Sequence, residues 1–233
     1  MRNIEAVFWK QIKDTFKNKA ILIQFVMFPL MVCIMENAVV MEDMPERFFV
    51  KLFAAMYIGM APLIVMSSII SEEKENGTLK VLLMSDVKPS EYLFGTGSYI
   101  WLICMAGSCV FAIVGNYQGK ALAAFILIMA TGIIASLLIG AAIGTWSRTQ
   151  MMATSIGVPA MMVFAFLPML SMFNETIKKA AKFTYSEQIS ILLNRLGDGM
   201  TAFVQAENVL MILINMGIAL VCFWFAYRKS GLS

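Results

Sequence analysis

Six long apolar runs constrain this chain more than any other feature of its sequence. Apolar residues make up 60% of the chain and charged residues only 14%. One soluble core of this size could not bury that much apolar surface, whereas each run, as an α-helix, crosses a bilayer core of roughly 30 Å. The sequence therefore predicts an all-α integral membrane protein with six transmembrane helices. The runs cover residues 20–41, 51–70, 92–114, 121–145, 156–173 and 207–227.

The residue types that the chain lacks exclude several kinds of site. There is no histidine, which excludes histidine-based catalytic triads, histidine-ligated zinc or haem, and imidazole proton relays. The four cysteines all lie inside apolar runs, which indicates packing residues rather than a disulfide framework. The formal net charge of +3 gives no indication of a nucleic-acid partner.

The basic residues indicate an orientation in the membrane. With both termini in the cytoplasm, the inner segments carry eleven Lys and Arg residues and the outer segments carry seven. Cytoplasmic loops are enriched in Lys and Arg, so we expect an N-in, C-in topology.

Residues 1–19 have the pattern of an amphipathic helix at the inner membrane surface. The segment could be a basic flank that only fixes orientation, or an elbow helix that receives force or a partner, and we favour the elbow. One face carries Ile4, Val7, Phe8, Ile12 and Phe16, and the other carries Lys10, Lys13 and Lys17.

Small residues recur at every fourth position of the fourth span. Such a ladder lets a second helix approach closely. It fits packing inside the chain or an interface between subunits, and we favour internal packing. The ladder consists of Gly132, Ser136, Gly140 and Gly144.

The inner segment 72–90 joins the second and third spans and predicts a short helix. Asn76-Gly77 marks a turn, and Thr78 is a candidate N-cap for a helix that begins at Leu79. The apolar face of this helix must pack on the membrane surface, on the rest of the chain or in a groove of a partner, and the residues alone leave all three open. That face consists of Leu79, Leu82 and Leu83.

This segment resembles the signature of ABC-2 type transporter permeases. The signature has an acidic, a basic and an acidic residue, any residue, Gly-Thr-Leu, any two residues and Leu-Leu, and it precedes a third span. Two departures are Lys80, where an acidic residue is common, and Gly95-Thr96, where Gly-Lys often opens the span. The matching residues run Glu73-Lys74-Glu75-Asn76-Gly77-Thr78-Leu79-Lys80-Val81-Leu82-Leu83.

The resemblance implies that residues 1–233 form one transmembrane domain of an ABC exporter in a bacterial cytoplasmic membrane. The short helix then acts as a coupling helix on a separate ABC ATPase subunit, and a second copy of this chain or a paralogous permease completes the membrane part. Membrane lipid surrounds both. The residues implied in ATPase coupling are Glu73, Glu75, Gly77, Thr78, Leu79, Leu82 and Leu83.

The chain has no ATPase site of its own. It contains no Gly-x-x-x-x-Gly-Lys-Ser/Thr sequence, and its nearest string, 115–121, has the wrong spacing and lacks the hydroxyl that would hold Mg²⁺. We therefore expect no cofactor in this chain, with ATP and Mg²⁺ bound by the partner, and we do not expect it to be an enzyme.

The outer segment 174–206 is too polar to span the membrane, yet it carries a helical apolar pattern. The resemblance implies one or two short re-entrant helices that cover the transport path, and the alternative is a helix lying flat on the outer surface. The apolar pattern consists of Ile189, Leu192, Leu193 and Leu196.

The spans offer few candidates for a transport path. Glu36 is the one carboxylate near the apolar core of a span, although an interfacial position fits it equally well. Two prolines interrupt the fifth span and predict a kinked, packed helix. The path or gate candidates are Phe25, Phe28, Glu36, Pro159 and Phe166.

Within the resemblance, the compact size, short outer loops and Met-rich apolar spans favour a hydrophobic or amphipathic cargo, above all a peptide. Drugs or lipid-linked glycans are the alternative cargoes. An ion-coupled carrier or channel would need more intramembrane carboxylates or a polar pore lining. An intramembrane enzyme would need a general base or a metal site in the spans, and none is evident.

Overall fold

The computed structural model describes residues 2–39, 45–196 and 206–229, and within these ranges the chain forms ten α-helices and no strand. Six of the helices are long and apolar enough to cross a membrane. The predicted all-α fold with six spans is thereby confirmed. The helices are α1 Arg2–Lys17, α2 Lys19–Ala38, α3 Phe48–Glu75, α4 Thr78–Met84, α5 Pro89–Val114, α6 Gly119–Trp146, α7 Gln150–Ser171, α8 Glu175–Ala181, α9 Tyr185–Arg195 and α10 Ala206–Lys229.

The fifth membrane helix, α7, begins at Gln150, six residues before the apolar run from which it was predicted. The Thr149 side chain accepts a hydrogen bond of 3.2 Å from the Met152 N–H, and this N-cap starts the helix in polar sequence. Pro159 and Pro168 lie inside α7 without ending it.

The central helix of the fold is α3. It contacts α2, α5, α6, α7 and α9. Side chains on all its sides are buried, including Tyr57, Ile58, Leu63 and Val65. A helix that is apolar all round is expected in such a central position.

The small-residue ladder of α6 packs against α3. A Cβ atom added to Gly140 would lie 2.5 Å from the Leu63 carbonyl oxygen, so the two backbones approach as closely as glycine allows. The Ser136 hydroxyl donates a hydrogen bond to the Ile58 carbonyl. The other two glycines of the ladder also face α3, which confirms the prediction of internal packing.

The amphipathic helix α1 packs on α5. Val7 is buried, and a Cβ atom added to Gly95 of α5 would lie 2.9 Å from the Val7 Cβ. One sequence assignment of faces is wrong: Lys10, expected on the outward polar face, forms an ion pair with Glu73 of α3. Phe16 is 71% exposed, which agrees with an apolar face that lies on the membrane surface. The inward face continues through buried polar Gln11 and Thr15, and the Gln11 amide meets polar groups of both α3 and α5.

The segment between α7 and α10 contains two short helices, α8 and α9, and its residues 197–205 lie outside the described part of the chain. Helix α9 contacts α3, α6, α7 and α10. Its Tyr185 hydroxyl lies 2.5 Å from the Ser136 hydroxyl, well inside the length of α6. The predicted apolar pattern is buried in this packing: Ile189, Leu192, Leu193 and Leu196.

Candidate functional site

The turn between α3 and α4 is built around one glycine. Asn76 N–H donates to the Glu72 carbonyl at 2.9 Å, and Gly77 then adopts φ 72°, a left-handed conformation that costs glycine little. Gly77 occupies the N-cap position of α4, so the predicted capping role of Thr78 is wrong. Thr78 is the first residue of the helix, and its hydroxyl donates to the Glu73 carbonyl at 3.2 Å.

The apolar face of α4 packs on the rest of the chain. Leu79 is buried, and Leu82 and Leu83 are half-buried. Leu79 and Leu83 line a very small gap together with Tyr92 of α5 and Tyr227 of α10. Of the three surroundings that the sequence left open for this face, the structure selects the chain itself.

The opposite face of α4 is exposed, and sequence reasoning did not single it out. Val81 is 63% exposed and Met84 is 78% exposed, beside the exposed Lys80. We call these three residues the α4 strip. Its position follows from the helical period, because it is the complement of the leucine face.

The three consecutive charges before the turn reach three different helices. Glu73 binds α1, Lys74 binds the end of α6, and Glu75 binds the start of α7. Successive residues of a helix point about 100° apart, so an acidic, basic, acidic run at the end of α3 radiates in three directions.

Glu73 lies in a buried polar cluster. The Lys10 ammonium pairs with its carboxylate, and the Gln11 amide donates to the same oxygen at 2.8 Å. The Gln11 amide is also 3.4 Å from the Thr96 hydroxyl of α5. Burial lowers the pKa of Lys10, but hydrogen bonds and charge attraction from Glu73 and Asp14 outweigh that effect and hold the pKa above its ordinary value. The cluster thus joins α1, α3 and α5.

Lys74 and Glu75 complete two helix termini. The Lys74 ammonium donates to the Thr145 carbonyl at 2.5 Å, at the end of α6. The Glu75 carboxylate accepts the Gln150 N–H at 2.7 Å, at the start of α7. A cation at a helix C-terminus and an anion at an N-terminus also interact favourably with the helix dipoles.

The far end of α4 is tied to α1 as well. The Asn3 amide donates to the Asp86 carbonyl at 3.2 Å and to the Glu91 carboxylate at 3.1 Å. That carboxylate also accepts the Lys88 N–H at 3.0 Å, which caps α5. Helix α4 is therefore fixed at both ends to elements that continue into the membrane helices.

Four of the five path or gate candidates fall into two environments. Phe25 and Phe28 are buried, and the Phe28 ring lies 6.3 Å from the Tyr57 ring of α3. Pro159 and Phe166 are exposed on α7.

Glu36, the fifth candidate, has a structural task at one end of the fold. Its carboxylate accepts the Val50 N–H of the first turn of α3 at 3.3 Å. It thereby satisfies one of the free N–H groups at the start of that helix.

A family model described as ABC-2 family transporter protein matches residues 7–228. The match includes all six apolar helices and the α3–α4 turn. No individual curated protein matches the chain.

Proposed function

The chain belongs to the ABC-2 family of transporter proteins, and we propose that it is the membrane subunit of an exporter whose separate ATPase drives transport through α4. The family makes it a transmembrane transport subunit of an ABC transporter, working with an ABC ATPase. A carrier driven by ions alone, one of the alternatives above, loses its support.

The radiating charges at the end of α3 carry this proposal. A coupling element must be rigid, exposed to a partner and connected to the helices that move. Helix α4 has a buried leucine face, an exposed strip, and at its base the three contacts of Glu73, Lys74 and Glu75 with α1, α6 and α7. A push on the α4 strip is transmitted through these contacts because charge-assisted hydrogen bonds resist separation more than neutral ones do.

The ATPase partner contacts the α4 strip in this proposal. An exposed valine and methionine beside a lysine form a small apolar patch with one charge, which suits the edge of a protein interface. The seven residues that the resemblance implies in coupling then divide by task. Leu79, Leu82 and Leu83 hold the helix on the chain, Gly77 and Thr78 form its turn, and Glu73 and Glu75 pass the movement on.

Two membrane subunits, identical or paralogous, enclose the path. Helix α7 supports this because much of its surface lacks a partner within the described chain, including Met162 and Phe166. Its first turn is the one held by Glu75, so α7 links the coupling site to the exposed face that carries Pro159 and Phe166.

The cargo that fits this surface best is an amphipathic peptide. The exposed strip of α7 is apolar and contains flexible methionine side chains, which adapt to variable apolar partners. The re-entrant placement of α8 and α9 belongs to the same proposal: they would cover the end of the path away from α4.

A matched pair of glycine substitutions tests the coupling role. Gly77 and Gly119 both have positive φ, 72° and 56°, and a Cβ atom on either would meet no other atom within 4 Å. Alanine at each position therefore brings the same backbone strain, about 1–2 kcal/mol, and only Gly77 lies at α4. The complex with its ATPase, in proteoliposomes, is assayed for ATP hydrolysis and for efflux of a fluorescent amphipathic helical peptide.

We expect Gly77→Ala to lower the peptide exported per ATP by about fivefold or more, and Gly119→Ala to leave it unchanged. Equal ratios in both variants would remove the coupling role of α4. If Gly77→Ala alters ATP hydrolysis and Gly119→Ala does not, but no form of the protein exports the peptide, only the proposal of a peptide cargo would be wrong.

A further inference from the structure

A small basic cleft lies where α8 and α9 meet the first turns of α10. Its volume is about 200 Å³. The other end of α10 carries Tyr227, which lies beside Leu79 of α4. The cleft is therefore at the end of the fold opposite the coupling site. Its polar and charged lining consists of Lys179, Lys182, Gln188, Arg195, Glu207 and Asn208.

The lining carries an excess of positive charge. Lys179, Lys182 and Arg195 contribute three cations, and among the described residues that line the cleft Glu207 is the one carboxylate. Within the described residues none of the three cations takes part in an ion pair, whereas neighbouring Lys178 pairs with Glu175 at 3.3 Å. A cleft of this charge favours an anion.

The floor of the cleft is a chain of hydrogen bonds that positions Arg195. The Arg195 guanidinium donates to the Asn208 amide oxygen at 3.2 Å, and the Asn208 amide donates to the Gln188 amide oxygen at 2.7 Å. Gln188 in turn donates to the Lys182 carbonyl at 2.6 Å. Gln188 and Asn208 are buried. Arginine has five N–H donors, so those left over after the bond to Asn208 remain for a ligand, and their fork geometry matches phosphate oxygens.

The surroundings place this cleft at the depth of lipid headgroups. Glu207 and Asn208 belong to the first turn of α10, a helix of 24 residues that is long enough to cross a bilayer. Ile214 and Ile218 lie one and two turns beyond Met211 of the cleft lining, on the same side of α10, and are 43% and 59% exposed; Phe183 of the cleft lining is 68% exposed. A phosphate in the cleft would thus have apolar surface directly below it for acyl chains.

We propose that this cleft binds the phosphate of an anionic phospholipid in the leaflet opposite α4. The lipid phosphate contacts Arg195, Lys182 and Lys179, and its acyl chains lie along α10. Because these residues come from α8, α9 and the segment between them, the lipid holds that segment against α10. The inference is independent of the cargo and of the coupling role of α4.

Lipid titration of the purified full-length chain in detergent tests the proposal. The probes are dioctanoyl phosphatidylglycerol, dioctanoyl phosphatidylcholine and inorganic phosphate, and bound lipid is counted by native mass spectrometry. Wild type is compared with Arg195→Gln, Lys182→Gln and Glu207→Gln. The matched control is Lys120→Gln, which removes an exposed lysine of the first turn of α6 that does not line the cleft.

We expect Arg195→Gln to weaken phosphatidylglycerol binding by about tenfold or more and Lys182→Gln by about twofold to fivefold. Glu207→Gln should tighten binding by about twofold to fivefold, a gain that misfolding cannot produce. Lys120→Gln should bind as wild type does, and phosphatidylcholine should bind more weakly to all of them.

Three results would overturn the proposal. Phosphatidylglycerol binding that is unchanged in both Arg195→Gln and Glu207→Gln would show that the charges of the cleft do not determine lipid binding. If phosphatidylglycerol and phosphatidylcholine bind equally, or if neither binds, the ligand of the cleft is not an anionic phospholipid. Complete displacement by millimolar inorganic phosphate would assign the cleft to free phosphate instead.

Discussion

Gly140 lies where α6 comes closest to α3, and replacing it with alanine tests the central packing of the fold. The added Cβ atom would lie 2.5 Å from the Leu63 carbonyl oxygen and 3.0 Å from the Met66 Cβ. The oxygen belongs to the backbone and cannot rotate away, so the two helices must separate by roughly 1 Å. Overpacking of this kind costs about 1–3 kcal/mol.

Gly217 provides the matched control, because it also lies inside a membrane helix but its Cβ atom would meet no other atom within 4 Å. Alanine at Gly217 should stabilise the helix by up to about 1 kcal/mol, through helix propensity alone. Gly140→Ala gains the same propensity and loses packing. We therefore expect the two variants to differ by about 2 kcal/mol.

Thermal unfolding of both variants in the same detergent measures this difference. About 2 kcal/mol corresponds to roughly 5 °C for a chain of this size, with Gly140→Ala melting below wild type and Gly217→Ala at or above it. If Gly140→Ala and Gly217→Ala have the same melting temperature, α6 and α3 do not pack as closely as described.

Two further predictions concern buried charges. Lys10→Ala leaves the buried Glu73 carboxylate without its cation, so it should lower the free energy of unfolding by about 1–3 kcal/mol, whereas Lys13→Ala should change it little; equal effects in chemical denaturation would contradict the pairing. Burial raises the pKa of Glu187 above its ordinary value, against the hydrogen bond from Ser171 and the charge of Lys178. Its folded pKa thus exceeds the unfolded one, so its contribution to stability is fullest at low pH and is lost as the pH rises through the folded pKa. Glu187→Gln should reduce the dependence of the melting temperature on pH above about pH 4, and an unchanged pH dependence would show that Glu187 does not cause it.

The sequence predicts the spans because hydrophobic length is a local property. Six apolar runs suffice to place six helices, and the ladder around Gly140 has the spacing that close helix packing requires. The helix ends are harder to predict from the sequence. α7 starts in polar sequence because of one capping threonine, Thr149, and α4 starts one residue early because Gly77 takes the cap position.

The contacts of individual side chains could not be predicted, since they depend on residues far apart in the sequence. Lys10 looks like part of a solvated face until α3 is folded beside α1 and brings Glu73 to it. The run of Glu73, Lys74 and Glu75 was identified as a family signature, but its three separate targets follow only from the arrangement of the helices. Likewise, Phe28 is a candidate for the path in the sequence and a core residue in the fold.

One pair of equally exposed apolar residues tests the central claim that the ATPase binds the α4 strip. Met84 on the strip is 78% exposed, and Phe173, which follows α7 at the end away from α4, is 76% exposed. The tagged chain carrying Met84→Asp or Phe173→Asp is purified gently from its native membrane, and the amount of soluble subunit with a P-loop that accompanies it is measured. The account predicts that Met84→Asp lowers this amount by about tenfold or more, and that Phe173→Asp keeps it at the wild-type level. Full recovery of the ATPase with Met84→Asp would contradict the account and place the contact on another surface.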